Sequence, residues 1–140
     1  MSAVDFIETV SIEAPPDAVW QAIVDPNLAS KYYLVPLSAI ELTPGGRISY
    51  GTAEETLITG EIENFEPGVR LRHTFRFSRA ILGTADDPMT TVTYLLEPSA
   101  HGTTLTLIHS GFPRENQTYT NIAEGWPAIL HGLKNLLEKK

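Results

Sequence analysis

Two histidines and one glutamate are the residues of this sequence best suited to acid–base chemistry or to holding a ligand. His73 and His109 each fall on the apolar parity of a strand pattern, and Glu8 shares the parity of Phe6 and Val10. An imidazole inside a cavity can shuttle a proton or orient a bound molecule. The alternative for each histidine is a hydrogen-bonded core or rim position without a role in binding.

Aromatic side chains form the second group of candidates. Tyr32 and Tyr33 end a short helical segment, and Trp126 lies in the final helical segment. Rings with one polar edge suit the mouth of a cavity. We expect a ligand-binding set made of Tyr32, Tyr33, Tyr50, His73, Phe75, Tyr94, His109 and Trp126. Such a lining fits an uncharged or weakly polar molecule, planar or lipid-like, whereas Trp20 is expected in the core between helix and sheet.

No cofactor and no metal ion are expected. The chain has no cysteine, which excludes disulfides, thiol nucleophiles and every zinc site built on cysteine. The four histidines lie far apart in the sequence, with no recognised ligand spacing. Gly45 and Gly46 follow Pro44 and predict a hairpin turn, not a phosphate-binding loop.

Charge argues against nucleic acid as a partner. The 140 residues carry 10 Lys and Arg against 17 Asp and Glu, a formal charge of −7, and such a field repels a phosphate backbone on average. Arg70, Arg72 and Arg76 nevertheless form a basic row on one strand. Cross-strand pairing with Glu61 and Glu63 is the favoured interpretation of that row, and an anion site is the alternative.

The elements that must position these residues follow from periodicity. Alternation of apolar and polar residues predicts strands, apolar spacings of three and four predict helices, and the predicted order is strand, one or two short helices, about six strands and a long helix. The predicted strands include Val4 to Glu13, Arg47 to Gly51, Thr56 to Phe65, Val69 to Phe77, Thr90 to Glu97 and Thr103 to Ser110. The predicted helices cover Asp17 to Val24 and Thr118 to Lys140, with Pro127 either kinking the latter or marking its first turn.

This order indicates a single α+β domain over residues 1–140. Seven strands make a sheet roughly 30 Å wide, whereas one helix covers about 10–12 Å. The sheet must therefore curl around the helix or leave a cavity beside it. No stretch is apolar enough to span a membrane, and the first ten residues lack a signal-peptide pattern, so we expect a cytoplasmic protein without membrane insertion.

Four stretches resemble a known family when they are taken in order. They are Ala18 to Pro26, Pro44 to Arg47, Gly60 to Ile62 with Glu66, Pro67 and Arg70-Leu71, and His109 to Phe112 with Gly125 to Pro127. Together they resemble the START-like (SRPBCC) superfamily and, within it, bacterial relatives of the activator of heat-shock-protein-90 ATPase. The resemblance implies the helix-grip fold: a seven-stranded antiparallel sheet around the C-terminal helix, with a partly apolar cavity between them.

The implied strand order sharpens the expectations for the three polar residues. His73 and His109 would lie two strand spacings apart, about 9.6 Å, too far for a direct hydrogen bond. The first strand would pair with the last, which brings Glu8 near Leu107 or His109. We therefore predict a Glu8–His109 pair at the cavity wall, with a β-bulge that turns Glu8 outward as the alternative.

Three functions remain open from the sequence. The first is a carrier of a small apolar ligand without chemistry of its own. The second is a cavity enzyme of hydrolase, cyclase or isomerase type that uses Glu8, His73 or His109. The third, implied by the resemblance, is a stress-response interaction module with a chaperone partner, and a homodimer is also compatible with the sequence.

Overall fold

The computed structural model describes residues 4–33, 36–52, 54–77, 89–112 and 117–138. Its elements follow the predicted order. They are β1 (Val4–Ile12), α1 (Pro16–Val24), α2 (Pro26–Ala29), β2 (Leu37–Ile40), β3 (Arg47–Gly51), β4 (Thr56–Glu66), β5 (Arg70–Phe77), β6 (Thr90–Ser99), β7 (Gly102–Phe112) and α3 (Gln117–Glu138). The helix-grip architecture expected from the sequence is confirmed.

Proline and aspartate set the boundary between the two short helices. Pro16 is the first residue of α1, where its missing N–H costs no hydrogen bond. Asp25 ends α1 and caps α2, because its carboxylate accepts from the backbone N–H groups of Asn27 and Leu28 at 2.8 and 3.3 Å. The chain therefore turns at Asp25-Pro26, directly after the predicted end of the helix at Val24.

The seven strands form one antiparallel sheet in the order β1-β7-β6-β5-β4-β3-β2. The first strand pairs with the last, as the resemblance implied. One row crosses the sheet through Phe6, His109, Val92, His73 and Ile62, each opposite the next. Side chains that are directly opposite lie on the same face, so this row belongs to one face, which we call the inner face.

Helix α3 covers the inner face. The buried residues of α3 recur at helical spacing and include Ile122, Trp126, Ile129, Leu130 and Leu133. Pro127 is exposed and lies inside the continuous helix, so it does not mark the first turn. The expected core position of Trp20 is also confirmed: the ring is buried and stacks on Phe65 with centroids 6.5 Å apart.

Polar contacts fix the end of α3 against β1. Lys134 donates from Nζ to the Ser11 carbonyl at 2.7 Å and to Glu138 Oε2 at 2.6 Å. The same Glu138 oxygen accepts from the backbone N–H of Glu13 at 2.8 Å. No helix within the described residues is long and apolar enough to cross a membrane.

Two details of β5 differ from or refine the sequence interpretation. Val69 was predicted to begin this strand, but it precedes the strand and is 41% exposed, because its N–H closes a turn onto the Glu66 carbonyl. In the basic row, Arg72 pairs with Glu63 at 2.9 Å, as expected, whereas Arg70 donates to the Asn64 side chain at 3.0 Å. The Arg72–Glu63 contact favours cross-strand pairing over an anion site.

Candidate functional site

The two candidate histidines lie on the inner face with one residue between them. Val92 of β6 is opposite His73 of β5 on one side and His109 of β7 on the other. Both imidazoles are buried, with 2% and 0% of their surface exposed. The register thus places them two strand spacings apart, about 9.6 Å between backbones, and each ring has its own hydrogen-bond partners.

His109 joins the sheet to helix α3 through a chain of hydrogen bonds. Trp126 donates from Nε1 to His109 Nδ1 at 3.0 Å, and His109 Nε2 lies 2.7 Å from Thr90 Oγ1. An indole nitrogen can only donate, so His109 Nδ1 is the acceptor and Nε2 carries the proton. Thr90 therefore accepts from His109 and donates to the Phe75 carbonyl at 3.1 Å. Both ring nitrogens of His109 are used within the protein.

His73 has one ring nitrogen without a partner. Its Nδ1 lies 2.7 Å from the Thr74 carbonyl oxygen, which only accepts, so Nδ1 carries the proton. The opposite nitrogen, Nε2, is buried and has no hydrogen-bond partner. Because Nδ1 is bonded to the backbone of β5, Nε2 lies on the other side of the ring, and His73 itself is buried on the inner face. His73 Nε2 is thus a hydrogen-bond acceptor without a donor.

Burial keeps both imidazoles neutral. It lowers the pKa of His73 to about 4, against smaller opposing effects of the Thr74 carbonyl and the Glu63 carboxylate. Burial, and then the neighbouring His73, lowers the pKa of His109 to about 3. At neutral pH the rings therefore act as uncharged hydrogen-bonding groups. A general base matched to neutral pH needs a pKa near 7, which neither ring has.

A glycine of the neighbouring strand allows the orientation of His73. Gly60 of β4 lies so close to the Thr74 carbonyl oxygen that a side-chain carbon at position 60 would collide with it. That oxygen is the one that accepts the hydrogen bond from His73 Nδ1. Gly60 therefore helps to position His73 through the Thr74 carbonyl.

Four aromatic rings meet between α3 and the sheet. Tyr33 stacks on Tyr50 with centroids 4.3 Å apart and meets the edge of Trp126 at 5.9 Å. Tyr94 meets Trp126 edge to face at 6.1 Å. The Tyr50 and Tyr94 side chains come close enough for each to affect the pKa of the other, although their strands are three spacings apart, about 14 Å. The two tyrosines therefore lean toward each other over β4 and β5.

The rings of this cluster also contact the histidines. Tyr94 lies 6.2 Å from His73, and Phe75 meets His109 edge to face at 4.6 Å, between ring centroids. Burial raises the pKa of Tyr50 and of Tyr94, so both keep their protons. The site is thus aromatic and neutral, with hydroxyl and imidazole groups as its polar elements.

The side chain of Tyr32 holds neighbouring elements together. Its hydroxyl donates to the Ala22 carbonyl at 2.8 Å, which ties the segment after α2 back to α1. Its Cβ also packs close to Gly132 of α3, where an added side-chain carbon would lie 3.1 Å away. Tyr32 and Tyr33 are both half-buried, and it is Tyr33 whose ring packs against Tyr50 and Trp126.

The predicted Glu8–His109 pair does not form. Glu8 is opposite Leu107, one inner-face position away from His109, which is opposite Phe6. The imidazole nitrogens of His109 are already bonded to Trp126 and Thr90. Glu8 does lie on the inner face, as its parity predicted. The strand register places it opposite Leu107, and the Trp126 indole and Thr90 leave no His109 nitrogen for Glu8 to bind.

Charged side chains are missing from the buried set. Among the described residues, the buried polar side chains are Ser49, His73, Thr90, Thr103 and His109. In that same part of the chain, no three His, Asp or Glu residues come close enough together to hold a metal ion. The arrangement can therefore bind and orient a neutral molecule by hydrogen bonding and ring contacts.

Comparison with known proteins assigns the family. The family model described as Activator of Hsp90 ATPase homolog 1-like protein matches residues 13–138. The chain belongs to this family. Protein MLL2253 from Mesorhizobium loti is a similar solved structure, with 25% identity and a TM-score of 0.84 over 98% of both chains. No match is found among curated proteins.

Two further structures place this family member in context. DynU16, a protein in the dynemicin biosynthetic locus, is 27% identical with a TM-score of 0.77, and the alignment covers 96% of this chain but 47% of DynU16. The Aha1 dimer from Colwellia psychrerythraea is 17% identical with a TM-score of 0.77 over 97% of both chains. The likeness at 17% identity shows a shared fold.

Sequence reasoning missed Thr90 and Gly60. Thr90 shares the parity of Val92 and Tyr94, so its inner-face position was readable, but it is the first residue of its strand. Gly60 is an isolated glycine inside a strand, a pattern that signals close backbone approach. Nothing in the pattern indicated that the Trp126 indole would reach His109.

Proposed function

We propose that this protein binds a small, predominantly apolar molecule between the inner face of the sheet and α3. The observation that carries the proposal is the unpartnered Nε2 of His73, which is buried next to the ring of Tyr94. A buried polar atom without a hydrogen bond costs about 1–3 kcal/mol. A ligand that donates a hydrogen bond to this atom would recover that free energy.

The surroundings of His73 support binding over acid–base catalysis. The rings of Tyr94, Trp126 and Tyr50 supply apolar contact area on the same face. A His73 pKa of about 4 makes the imidazole a weak base at neutral pH, but leaves it a good hydrogen-bond acceptor. The family's fold, shared with DynU16 from a biosynthetic locus, is compatible with a carrier of small organic molecules.

Two tryptophans make the binding test direct. Trp126 is part of the ring cluster, whereas Trp20 stacks on Phe65 away from it. In a Trp20→Phe variant, ligand binding is expected to change the emission of the single remaining indole. Native mass spectrometry of freshly purified protein, followed by solvent extraction, would identify any molecule that co-purifies.

The matched control is Trp126→Phe, which keeps Trp20 as its single reporter. Binding near α3 should leave the Trp20 emission of this variant unchanged, while the melting temperature of the wild-type protein rises with the same ligand. If no preparation carries a ligand and a broad thermal-shift screen of apolar compounds produces no stabilisation, the proposed function is wrong. In that case the interaction-module alternative gains weight, and a co-purifying chaperone or second copy becomes the observation to seek.

A further inference from the structure

We propose that the ligand carries a neutral hydroxyl or N–H group on an aromatic ring, and that this group donates a hydrogen bond to His73 Nε2. This inference rests on the proposed function and defines the chemical class of its ligand. The same contact would make His73 the residue that determines specificity at the site.

The chemistry of the buried groups selects a hydrogen-bond donor. His73 Nδ1 donates its hydrogen bond to the Thr74 carbonyl, so Nε2 carries no proton and can only accept a hydrogen bond. A carbonyl, ether or carboxylate oxygen of a ligand offers only lone pairs and would face another acceptor there. A hydroxyl or N–H group matches the acceptor and satisfies both partners.

The other buried imidazole does not compete for this role. His109 accepts from Trp126 and donates to Thr90, so neither of its nitrogens is open to a ligand. Among the described buried side-chain atoms, His73 Nε2 is the one without a hydrogen bond. The donor group of the ligand therefore has a defined place on the inner face.

Charge selects a neutral molecule. The buried polar side chains in the described part of the chain are serine, threonine and histidine, with no arginine, lysine, aspartate or glutamate among them. An anionic ligand placed there would lose its hydration without gaining an opposite charge, which is strongly unfavourable. Carboxylates and phosphates of the same size are therefore expected to be rejected, and Glu8, half-buried on the same face opposite Leu107, adds to this rejection.

The neighbouring side chains select a ring. Tyr94 lies 6.2 Å from His73 by ring centroids, and Phe75 is the next inner-face residue along β5. Tyr94 already meets Trp126 edge to face, the arrangement that aromatic pairs prefer. A planar ligand continues this packing, and its hydroxyl or N–H, lying in the plane of the ring, can point at Nε2.

Matched ligand pairs test the inference in the wild-type protein. The probes are 2-naphthol with 2-methoxynaphthalene, indole with 1-methylindole, and 2-naphthoate as the anion, each titrated at pH 7.5 and followed by amide NMR shifts. We expect each donor to bind about tenfold more tightly than its methylated partner, in line with the loss of one buried hydrogen bond. The naphthoate is expected to bind at least tenfold more weakly than the naphthol.

Variants assign the preference to His73. In His73→Leu the donor and its methylated partner should bind with similar affinity, whereas His73→Gln, which keeps an acceptor, should retain part of the preference. His101→Gln, in the exposed β6–β7 turn, is the matched control and should behave as wild type. The wild-type ratio alone tests the inference should a His73 variant fail to fold.

Three outcomes separate the two proposals. Equal binding of a donor and its methylated partner to the wild type would overturn this inference and leave the proposed function standing. A preference that persists in folded His73→Leu would also overturn it. If none of the five probes binds, nothing co-purifies with the protein and a broad thermal-shift screen of apolar compounds produces no stabilisation, the proposed function fails and this inference fails with it.

Discussion

Removing the Thr90 hydroxyl tests the hydrogen-bond chain that fixes His109. Thr90→Val is nearly isosteric, so it deletes the acceptor of the His109 Nε2 proton without leaving a cavity. The imidazole cannot escape by changing tautomer, because the Trp126 indole N–H still requires a lone pair on Nδ1. The substitution therefore leaves a buried N–H group without a partner.

The expected cost follows from that orphaned donor. A buried hydrogen-bonding group that loses its partner costs about 1–3 kcal/mol, so we expect Thr90→Val to lower the free energy of unfolding by about 2 kcal/mol. Urea unfolding at pH 7.5 measures the change, and an unaltered m-value would show that the unfolded state is unaffected. Thr93→Val, on the half-buried opposite face of the same strand, should stay within about 0.5 kcal/mol of wild type.

A double-mutant cycle isolates the pair. In a His109→Leu background there is no imidazole N–H to orphan, so the further change Thr90→Val should cost at least about 1 kcal/mol less than it does in the wild type. The reasoning would be refuted by a Thr90→Val variant as stable as Thr93→Val, or by an equal cost of Thr90→Val in both backgrounds.

Three further predictions concern stability. Both imidazoles have lowered pKa values in the folded state, so the unfolded chain binds more protons below pH 6.5. The free energy of unfolding should be highest above pH 6.5 and should fall between pH 6.5 and about 4, by about 1 kcal/mol per pH unit for each ring. Urea unfolding at pH 7, 6 and 5 measures this change. A free energy of unfolding that does not vary with pH would contradict the prediction. His73→Leu should remove the contribution of one ring to this pH dependence. Its free energy of unfolding at pH 7.5 should stay within about 1 kcal/mol of wild type, because loss of the hydrogen bond to Thr74 is offset by removal of the unpartnered Nε2. A much larger loss in the same assay would argue against this offset. Gly60→Ala should cost about 2 kcal/mol, since the added methyl displaces the Thr74 carbonyl, and wild-type stability would show that β4 can shift freely.

Much of the fold was readable because each element has its own periodicity. The alternation in Thr90 to Glu97 and the helical spacing of Ile122, Trp126 and Leu133 placed these residues on the correct faces. Strand ends were predicted within about one to three residues because glycine and proline mark the turns. Parity alone put both candidate histidines on the inner face.

The polar contacts of the site were not readable in the same way. Parity states which face a side chain takes, but a hydrogen bond depends on register and on how far a side chain reaches. Glu8 shared the face of His109 and still missed it by one inner-face position, while Trp126 reached it from another element. Both ring nitrogens of His109 have hydrogen-bond partners, whereas His73 Nε2 has none. This difference depends on contacts between elements and therefore could not be predicted from the pattern within either strand.

The most direct test of the account is the nitrogen resonance of His73 Nε2 in protein labelled with ¹⁵N at its imidazoles. Addition of 2-naphthol at pH 7.5 should shift that resonance toward a hydrogen-bonded acceptor, while both nitrogens of His109, already bonded to Trp126 and Thr90, change little. A bound naphthol that leaves His73 Nε2 unchanged, or that shifts His109 instead, would contradict the account.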